Sequence, residues 1–383
     1  MSTLHVAVVG AGIGGLAAAV ALSRKGIDVS VHEQAHRLGE VGAGVGLSHN
    51  SLRLLDRVGL ADRLRQTSTP LTGIQMRDRT GKLITCISYA GEEALLGLYR
   101  PDIIDTLADG LSDVMVSTGR RCVGFNQDDD HATVVFDTGE RVVADVVIAA
   151  DGIHSALQQF VVPPSDPVFS GSIAYRGVLP ASRLPDHPTD AGIGWVGDGR
   201  HFNVYPPFHN GELINYGGIV PSDEAMRESW SLPGDPAVLA SEFAGWDPKL
   251  QHIISQVDST FRWGLYDRDP LPRWTNGRLT LLGDAAHPML PHMGQGANSA
   301  VEDGFALATL LEGLSGGDAP EALLRYEALR KPRTAQMQLG GRANGALYDS
   351  ADIADRGQEI GDAFGSIESY FDYDVEAEAR ALR

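Results

Sequence analysis

Apolar residues follow two rhythms along this chain, and the changes between them mark its organisation. His5 to Val9 is a short apolar run that passes through Gly10-Ala11-Gly12-Ile13-Gly14-Gly15 into an alanine- and leucine-rich stretch from Leu16 to Lys25. The run reads as a strand, the glycines as a tight turn, and the stretch as a helix ended by Gly26. Asp28-Val29-Ser30-Val31-His32 then alternates with period two, as a second strand does. Together they predict a βαβ unit. The same apolar stretch is no signal peptide, because no basic region precedes it and glycines interrupt it.

Further along, Asp102 to Leu111 has a helical pattern, and Ala132 to Phe136 with Arg141 to Val143 predicts a hairpin turning at Gly139. Val146 to Ala150 is continuously apolar, as a strand buried on both faces must be. From about residue 163 to 274 prolines and aromatics increase, and short strand-like runs (Ser172 to Val178, Arg200 to Tyr205, Ile214 to Val220) are divided by turn residues. That texture predicts an inserted β-rich region. Arg278 to Leu282 returns to a buried strand and Gly296 to Leu314 to a long helix, so the first unit resumes after the interruption. The tail from Ala319 to Arg383 is charged and helical in pattern, with an acidic end expected to be loosely packed.

Gly10-x-Gly12-x-x-Gly15 lies where a dinucleotide fingerprint needs to be, directly after a strand and opening a helix. The first glycine permits the turn, the second lets a pyrophosphate approach the backbone, and the third lets helix and strand pack closely. Free N–H groups at the helix N-terminus then favour the phosphates. Glu33, with Gln34 beside it, ends the second strand where a carboxylate can accept hydrogen bonds from ribose hydroxyls. The fingerprint alone leaves FAD and NAD both open.

Composition narrows the classes. Acidic residues outnumber basic ones by 50 to 31, for a formal net charge of -19, which opposes broad contact with nucleic-acid phosphates. Cys86 and Cys122 are the only cysteines, so there is no disulfide framework or zinc spacing, and no metal ligand set is expected. No run has the roughly 18 apolar residues of a membrane span. A cytoplasmic protein is expected, and a homodimer is compatible with these features.

Two later motifs, Asp145-Val-Val-Ile-Ala-Ala-Asp151-Gly152 and Leu281-Leu282-Gly283-Asp284-Ala-Ala-His287-Pro288, resemble the remaining fingerprints of the class A flavin-dependent aromatic hydroxylases, the family typified by para-hydroxybenzoate hydroxylase. With the N-terminal motif they span the chain in the family's order. The resemblance implies an α/β fold: a Rossmann-like FAD-binding domain (1–72, 98–162 and 275–318), an inserted β-rich substrate domain (73–97 and 163–274) and a helical C-terminal region (319–383). It also implies FAD as cofactor, NADH or NADPH as cosubstrate, and hydroxylation of a small aromatic compound by oxygen through a flavin C4a-hydroperoxide. Glu33 would bind ribose, Asp284 the ribityl chain, Asp151 both flavin and nicotinamide, and Arg100 the flavin. Asp284 follows a buried strand, and Gly294-Gln295-Gly296-Ala297-Asn298 opens the next helix with free N–H groups suited to the flavin pyrimidine edge. The family's arginine after the Asp-Gly motif is replaced here by Leu157-Gln158-Gln159. No second GxGxxG follows a strand, so the nicotinamide is expected to bind transiently.

In Arg200-His201-Phe202-Asn203-Val204-Tyr205, strand alternation puts His201, Asn203 and Tyr205 on one face and Phe202 and Val204 on the other. The segment resembles its counterpart in the 3-hydroxybenzoate 6-hydroxylase and 6-hydroxynicotinate 3-monooxygenase branches of the family, where the histidine and tyrosine face substrate. His292 also has a counterpart in the second branch, whereas Gly46 stands where that branch carries another histidine. A phenol or hydroxypyridine attacks an electrophilic oxygen faster once deprotonated, and histidine, with a pKa of roughly 6.5, can take that proton. His201, Tyr205 and His292 are therefore the catalytic candidates, with structural roles on a half-exposed strand as the bland reading of His201 and Tyr205; His287 beside Pro288 reads as structural. A hydroxylated aromatic or heteroaromatic acid is the expected substrate. The alternatives are tailoring of a larger natural product and a flavin-binding regulatory protein without turnover.

Overall fold

The computed structural model describes residues 4–39, 43–89, 91, 94–111, 114–223, 232–350 and 352–383. Strand His5–Val9 is buried because it lies inside a six-stranded sheet, paired in parallel with Asp28–His32 on one side and Val146–Ala149 on the other. Leu279–Leu281 extends that sheet in parallel beyond Val146–Ala149, so the three fingerprint strands sit next to one another. Their C-terminal ends open on one edge, where ligands of such sheets bind.

Helix Ile13–Arg24 is hidden on nearly every face, which its alanines make possible. It packs on Gly296–Leu311 through small residues: Gly304 lies against Ala18, and Gly14 against Ala300. That helix ends at Leu311 rather than Leu314, and Gly313 adopts a φ of +73°. The hairpin of Ala132–Phe136 and Arg141–Ala144 turns at Gly139, whose φ is +83°.

The second large sheet has eight strands and is almost wholly antiparallel. Its longest strand is Val168–Pro180, paired with Leu213–Pro221 and Thr260–Asp267; Arg200–Val204, Ala191–Gly197, Gly73–Asp78 and Leu83–Ser88 follow in order beyond Leu213–Pro221. One face is sealed by helices Pro236–Glu242 and Pro248–Ser255 over a core that includes Phe202, Val204, Leu239, Phe243 and Leu250. The other face looks back toward the first sheet. A three-stranded sheet of Gly44–Ser48, Leu95–Tyr99 and Thr69–Pro70 lies between the two.

The C-terminal region is helical, with segments Ala319–Tyr348, Gly357–Glu368 and Val375–Ala381. Its acidic end is not loose. Val375 and Ala379 are fully buried against Gly296–Leu311, and buried Glu376 is paired with Arg57 at 2.6 Å and Lys25 at 3.8 Å. The negative residues there neutralise basic ones on the main body instead of repelling one another. Among the described residues, no helix is long and apolar enough to cross a membrane.

Candidate active site

The nucleotide side of the site is made largely of backbone. Gly10 has a φ of +105°, and a Cβ there would run into the carbonyl of Ala150; one on Gly15 would run into the carbonyl of Gly10. A Cβ on Gly12, by contrast, would enter open space, and Gly12 caps helix Ile13–Arg24 without a side-chain hydrogen bond. The helix N-terminus thus presents free donors to the cavity. Glu33 accepts from Ala11 N at 2.7 Å and from Ala35 N at 2.8 Å, which aims its carboxylate across the turn.

Asp151 and Asp284 end neighbouring strands. Asp151 Oδ2 accepts from Ala156 N at 2.8 Å while Oδ1 is buried with no partner, and burial pushes this carboxyl up against the pull of the Ser155 hydroxyl. Asp284 opens onto the cavity; burial among protein atoms raises its pKa, with His287 and Arg100 opposing. Gln158, which stands near the family's missing arginine, donates to the carbonyl of Ala285 at 2.9 Å and so ties the Asp151 loop to the Asp284 loop.

A buried charge cluster holds the Asp284 loop. Asp303 accepts from Gly283 N at 3.1 Å, His287 Nε2 at 2.6 Å and Arg330 Nε at 2.7 Å, and Glu302 meets Arg330 at 2.6 Å. His287 is thus structural, as its sequence context suggested.

Gly294, with a φ of +62°, Gly296 and Ala297 line the cavity at the start of the next helix. Asn298 does not. Its side chain accepts from Ser48 N at 2.9 Å and Ser51 Oγ at 2.5 Å, and donates to the carbonyls of Gly46 at 3.0 Å and Gly294 at 2.9 Å. Its side-chain hydrogen bonds are spent on tying strand Gly44–Ser48, Ser51 and the Gly294 turn together, which leaves only its backbone N–H for a ligand.

The eight-stranded sheet forms the opposite wall. His201, Asn203 and Tyr205 face the cavity while Phe202 and Val204 enter the core behind, as alternation requires. His201 is 1% exposed; its Nδ1 lies 3.0 Å from Asp349 Oδ1, and its Nε2 is buried with no partner. His292 sits alongside, ring centroids 5.1 Å apart, with Nδ1 3.1 Å from the Gly341 carbonyl and Nε2 likewise buried and partnerless. Burial, with His201 nearby, lowers the His292 pKa to about 3, against the Gly341 bond. Burial raises the Tyr205 phenol. Arg176 stacks over Trp263 at 3.6 Å, and both line the same wall.

One cavity of about 820 Å³ joins the two walls. Gly10, Gly12, Gly15, Glu33, Gln34, Arg100, Asp151 and Asp284 line one end, and His201, Tyr205 and His292 the other. Its volume is in the upper part of the range for small-molecule sites.

A family profile described as FAD binding domain matches residues 3–339. The 3-amino-4-hydroxybenzoate 2-monooxygenase of Streptomyces platensis is 38% identical over 357 residues, covering 91% of this chain and 89% of that protein. This chain belongs to the FAD-dependent aromatic monooxygenases. Another relative, the 6-hydroxynicotinate 3-monooxygenase of Pseudomonas fluorescens, is 34% identical over 87% of this monooxygenase and 89% of its own length. A salicylate hydroxylase solved as a substrate complex superposes with a TM-score of 0.87 at 28% identity, over 99% of this chain and 98% of that one.

The monooxygenase's own atoms fit FAD. Open space above Gly12, uncapped helix donors, Glu33, and the partnerless Asp151 oxygen supply what a pyrophosphate and polyol need. Sequence reading missed Asp349, the Asp303 cluster and Gly217, whose missing side chain leaves open space in the substrate wall. Only the Asp303 cluster carried a signal: two adjacent acids, Glu302 and Asp303, within a helix that is otherwise rich in small and apolar residues.

Proposed function

We propose that this monooxygenase hydroxylates a small aromatic or heteroaromatic acid bearing a ring hydroxyl, with NADH or NADPH as electron donor and oxygen as oxidant. The observation that carries the reading is the single cavity in which a nucleotide wall meets a wall bearing His201, Tyr205 and His292. Relatives named for 3-amino-4-hydroxybenzoate and 6-hydroxynicotinate support the substrate class. Glu33, Asp151, Asp284 and the N–H groups around Gly12 and Gly294 to Asn298 would hold FAD, with Gln34 and Arg100 beside it. FAD, once reduced, supplies the activated oxygen.

The chain's own task is to bind the ring, exclude water and move a proton. A buried acceptor without a partner costs about 1–3 kcal/mol. The Nε2 atoms of His201 and His292 are two such acceptors, and donors on a bound substrate would satisfy them. His201 takes the proton of the substrate hydroxyl onto Nε2, and Tyr205 orients that hydroxyl. No second nucleotide fold is present among the described elements, so the nicotinamide would visit the same cavity.

The test is consumption of NAD(P)H by the FAD-loaded enzyme with and without hydroxylated benzoates and pyridines, in labelled oxygen. Faster consumption and one labelled oxygen atom in the product are expected. His201→Asn should slow hydroxylation by about 10²- to 10⁴-fold and divert reducing equivalents to hydrogen peroxide, with FAD content unchanged. No labelled product from any such acid would overturn the assignment; a His201→Asn enzyme with full coupling would remove His201 from it.

A further inference from the structure

The two histidines of the substrate wall differ in one respect, the group behind the ring. Asp349 Oδ1 lies 3.0 Å from His201 Nδ1, and the Gly341 carbonyl lies 3.1 Å from His292 Nδ1. A carboxylate and a carbonyl can only accept, so each neutral ring carries its proton on Nδ1 and offers a bare Nε2. What differs is charge. Protonating His201 creates an imidazolium against a carboxylate; protonating His292 creates one against a neutral carbonyl, beside the other ring at 5.1 Å.

We propose that Asp349 is a positioning residue that makes His201, and not His292, the proton acceptor of the site, leaving His292 as a neutral hydrogen-bond acceptor for substrate. The proposal rests on the reading of His201 as base. In the step, the substrate O–H bond breaks, its electron pair stays on the ring oxygen, and the proton goes to His201 Nε2. The imidazolium so formed lies 3.0 Å from the Asp349 carboxylate, whose charge stabilises it.

The surroundings support this division. Asp349 caps the C-terminus of helix Ala319–Tyr348, and its side chain is 30% exposed, so the carboxylate keeps contact with water while the His201 ring is buried. A solvated carboxylate against a buried imidazole is an ion pair available only to one of the two rings. Among the described residues, the other titratable groups facing His201 are phenols and His292: Tyr348 from the same helix end, ring centroid 5.6 Å away, and Tyr205 just beyond its own strand. Burial raises both phenols and also Tyr89, which is near them and Glu368, so all stay neutral around pH 7. Burial lowers His292 to about 3, in keeping with its place as the ring that stays neutral.

No sequence motif joins Asp349 to His201, which lie 148 positions apart. The helix end brings them together, and Gly345 makes room for it: a Cβ there would come within 2.8 Å of the His292 ring.

The test uses the FAD-loaded enzyme and the fastest substrate of the hydroxybenzoate and hydroxypyridine screen. Asp349→Asn keeps shape and can still accept from Nδ1–H, but removes the charge. Hydroxylation at pH 7 should fall by about 10- to 100-fold, part of the span of general-base catalysis. Because a less basic His201 leaves deprotonation to the substrate, the remaining rate should climb with pH toward the substrate's own pKa. Asp349→Glu should restore part of the rate. FAD content and thermal midpoint should stay near wild type, and His292→Asn should weaken substrate binding without changing the shape of the pH profile. An Asp349→Asn enzyme with the wild-type profile and coupling, while His201→Asn alters both, would overturn the role of Asp349 alone. If neither variant alters them, the base reading itself fails. If His292→Asn, and not Asp349→Asn, changes the profile, the two histidines have the opposite roles.

Discussion

The cavity's two walls recognise by different means. The nucleotide wall uses backbone: three glycines, a helix N-terminus and loops contiguous with their strands. The substrate wall uses side chains gathered from Arg200–Val204, Leu213–Pro221, the Pro291–Met293 turn and the end of a helix about 150 residues from His201. Backbone recognition leaves no room for substitution, whereas side-chain recognition can be retuned one position at a time. The sharpest break of that contrast is at Gly15, where any Cβ collides with the Gly10 carbonyl. Gly15→Val should yield no FAD-loaded protein, as read from flavin absorbance after purification. A yellow Gly15→Val enzyme would show that the turn is more adaptable than the packing implies.

The next largest effect is expected behind the nucleotide wall, at Asp303. Its carboxylate is fully buried and holds Gly283 N, His287 and Arg330 together. Burial alone would raise its pKa, but His287 and Arg330 outweigh that and leave it lowered. Asp303→Asn removes one charge from a buried cluster, and breaking such pairs costs about 3–5 kcal/mol. Denaturant unfolding should show a loss of that order, together with weaker FAD retention as the Asp284 loop loosens. Because the folded pKa lies below the unfolded one, this contribution is present above the ordinary carboxylate range and lost as pH falls through the folded value. A loss confined to stability, with flavin affinity unchanged, would separate the cluster from the site.

Acid should act on both walls through neutral buried histidines. Burial lowers His32, beside Glu33 on the nucleotide side, to about 4, and His187, bonded to the Tyr205 carbonyl at 3.1 Å, also to about 4; His292 falls to about 3. An unfolded histidine takes up its proton near pH 6.5. Stability contributed by these groups is therefore complete above about pH 6.5 and declines as pH drops toward their folded values. Unfolding free energy measured at pH 7 and pH 5 should be lower at pH 5, and His292→Gln should flatten the decline. Equal slopes in the two proteins would mean that His292 is not held neutral.

The same contrast explains what could be read beforehand. Gly10, Gly12, Gly15 and Glu33 were legible because a dinucleotide site needs fixed spacings within short loops, Asp151 and Asp284 through the resemblance of their motifs to the family's fingerprints, and periodicity alone placed His201, Asn203 and Tyr205 on one face. The bracing role of the Asn298 side chain was not legible, because spacing cannot show that Ser48, Ser51, Gly46 and Gly294 use up its hydrogen bonds. Asp349 was invisible, since its partner depends on where a thirty-residue helix ends. The acidic tail misled for a related reason: charge counted along the chain ignores Arg57 and Lys25, which meet it in space.

A glycine on the substrate wall provides the finest test of the contrast. Gly217 is paired with Arg176 on one neighbouring strand and Asn203 on the other, so the three form a row across the cavity face of the sheet. A Cβ added at Gly217 would have no atom within 4 Å, which is the reverse of Gly15, and no positive φ strains it. The folded enzyme should therefore accept Gly217→Val with normal FAD content and melting temperature. What the new side chain would occupy is the space between Arg176 and Asn203, where a flat ring can lie on bare backbone. Substrate affinity, titrated through perturbation of the flavin spectrum, should weaken by about tenfold or more, equivalent to roughly 1.4 kcal/mol. Gly217→Ala should fall between wild type and the valine variant, and the loss should grow with the size of the substrate's ring substituents. Unchanged affinity in Gly217→Val would place the ring elsewhere in the cavity, and the boundary of the substrate wall would then have to be drawn nearer to His292 and Tyr205.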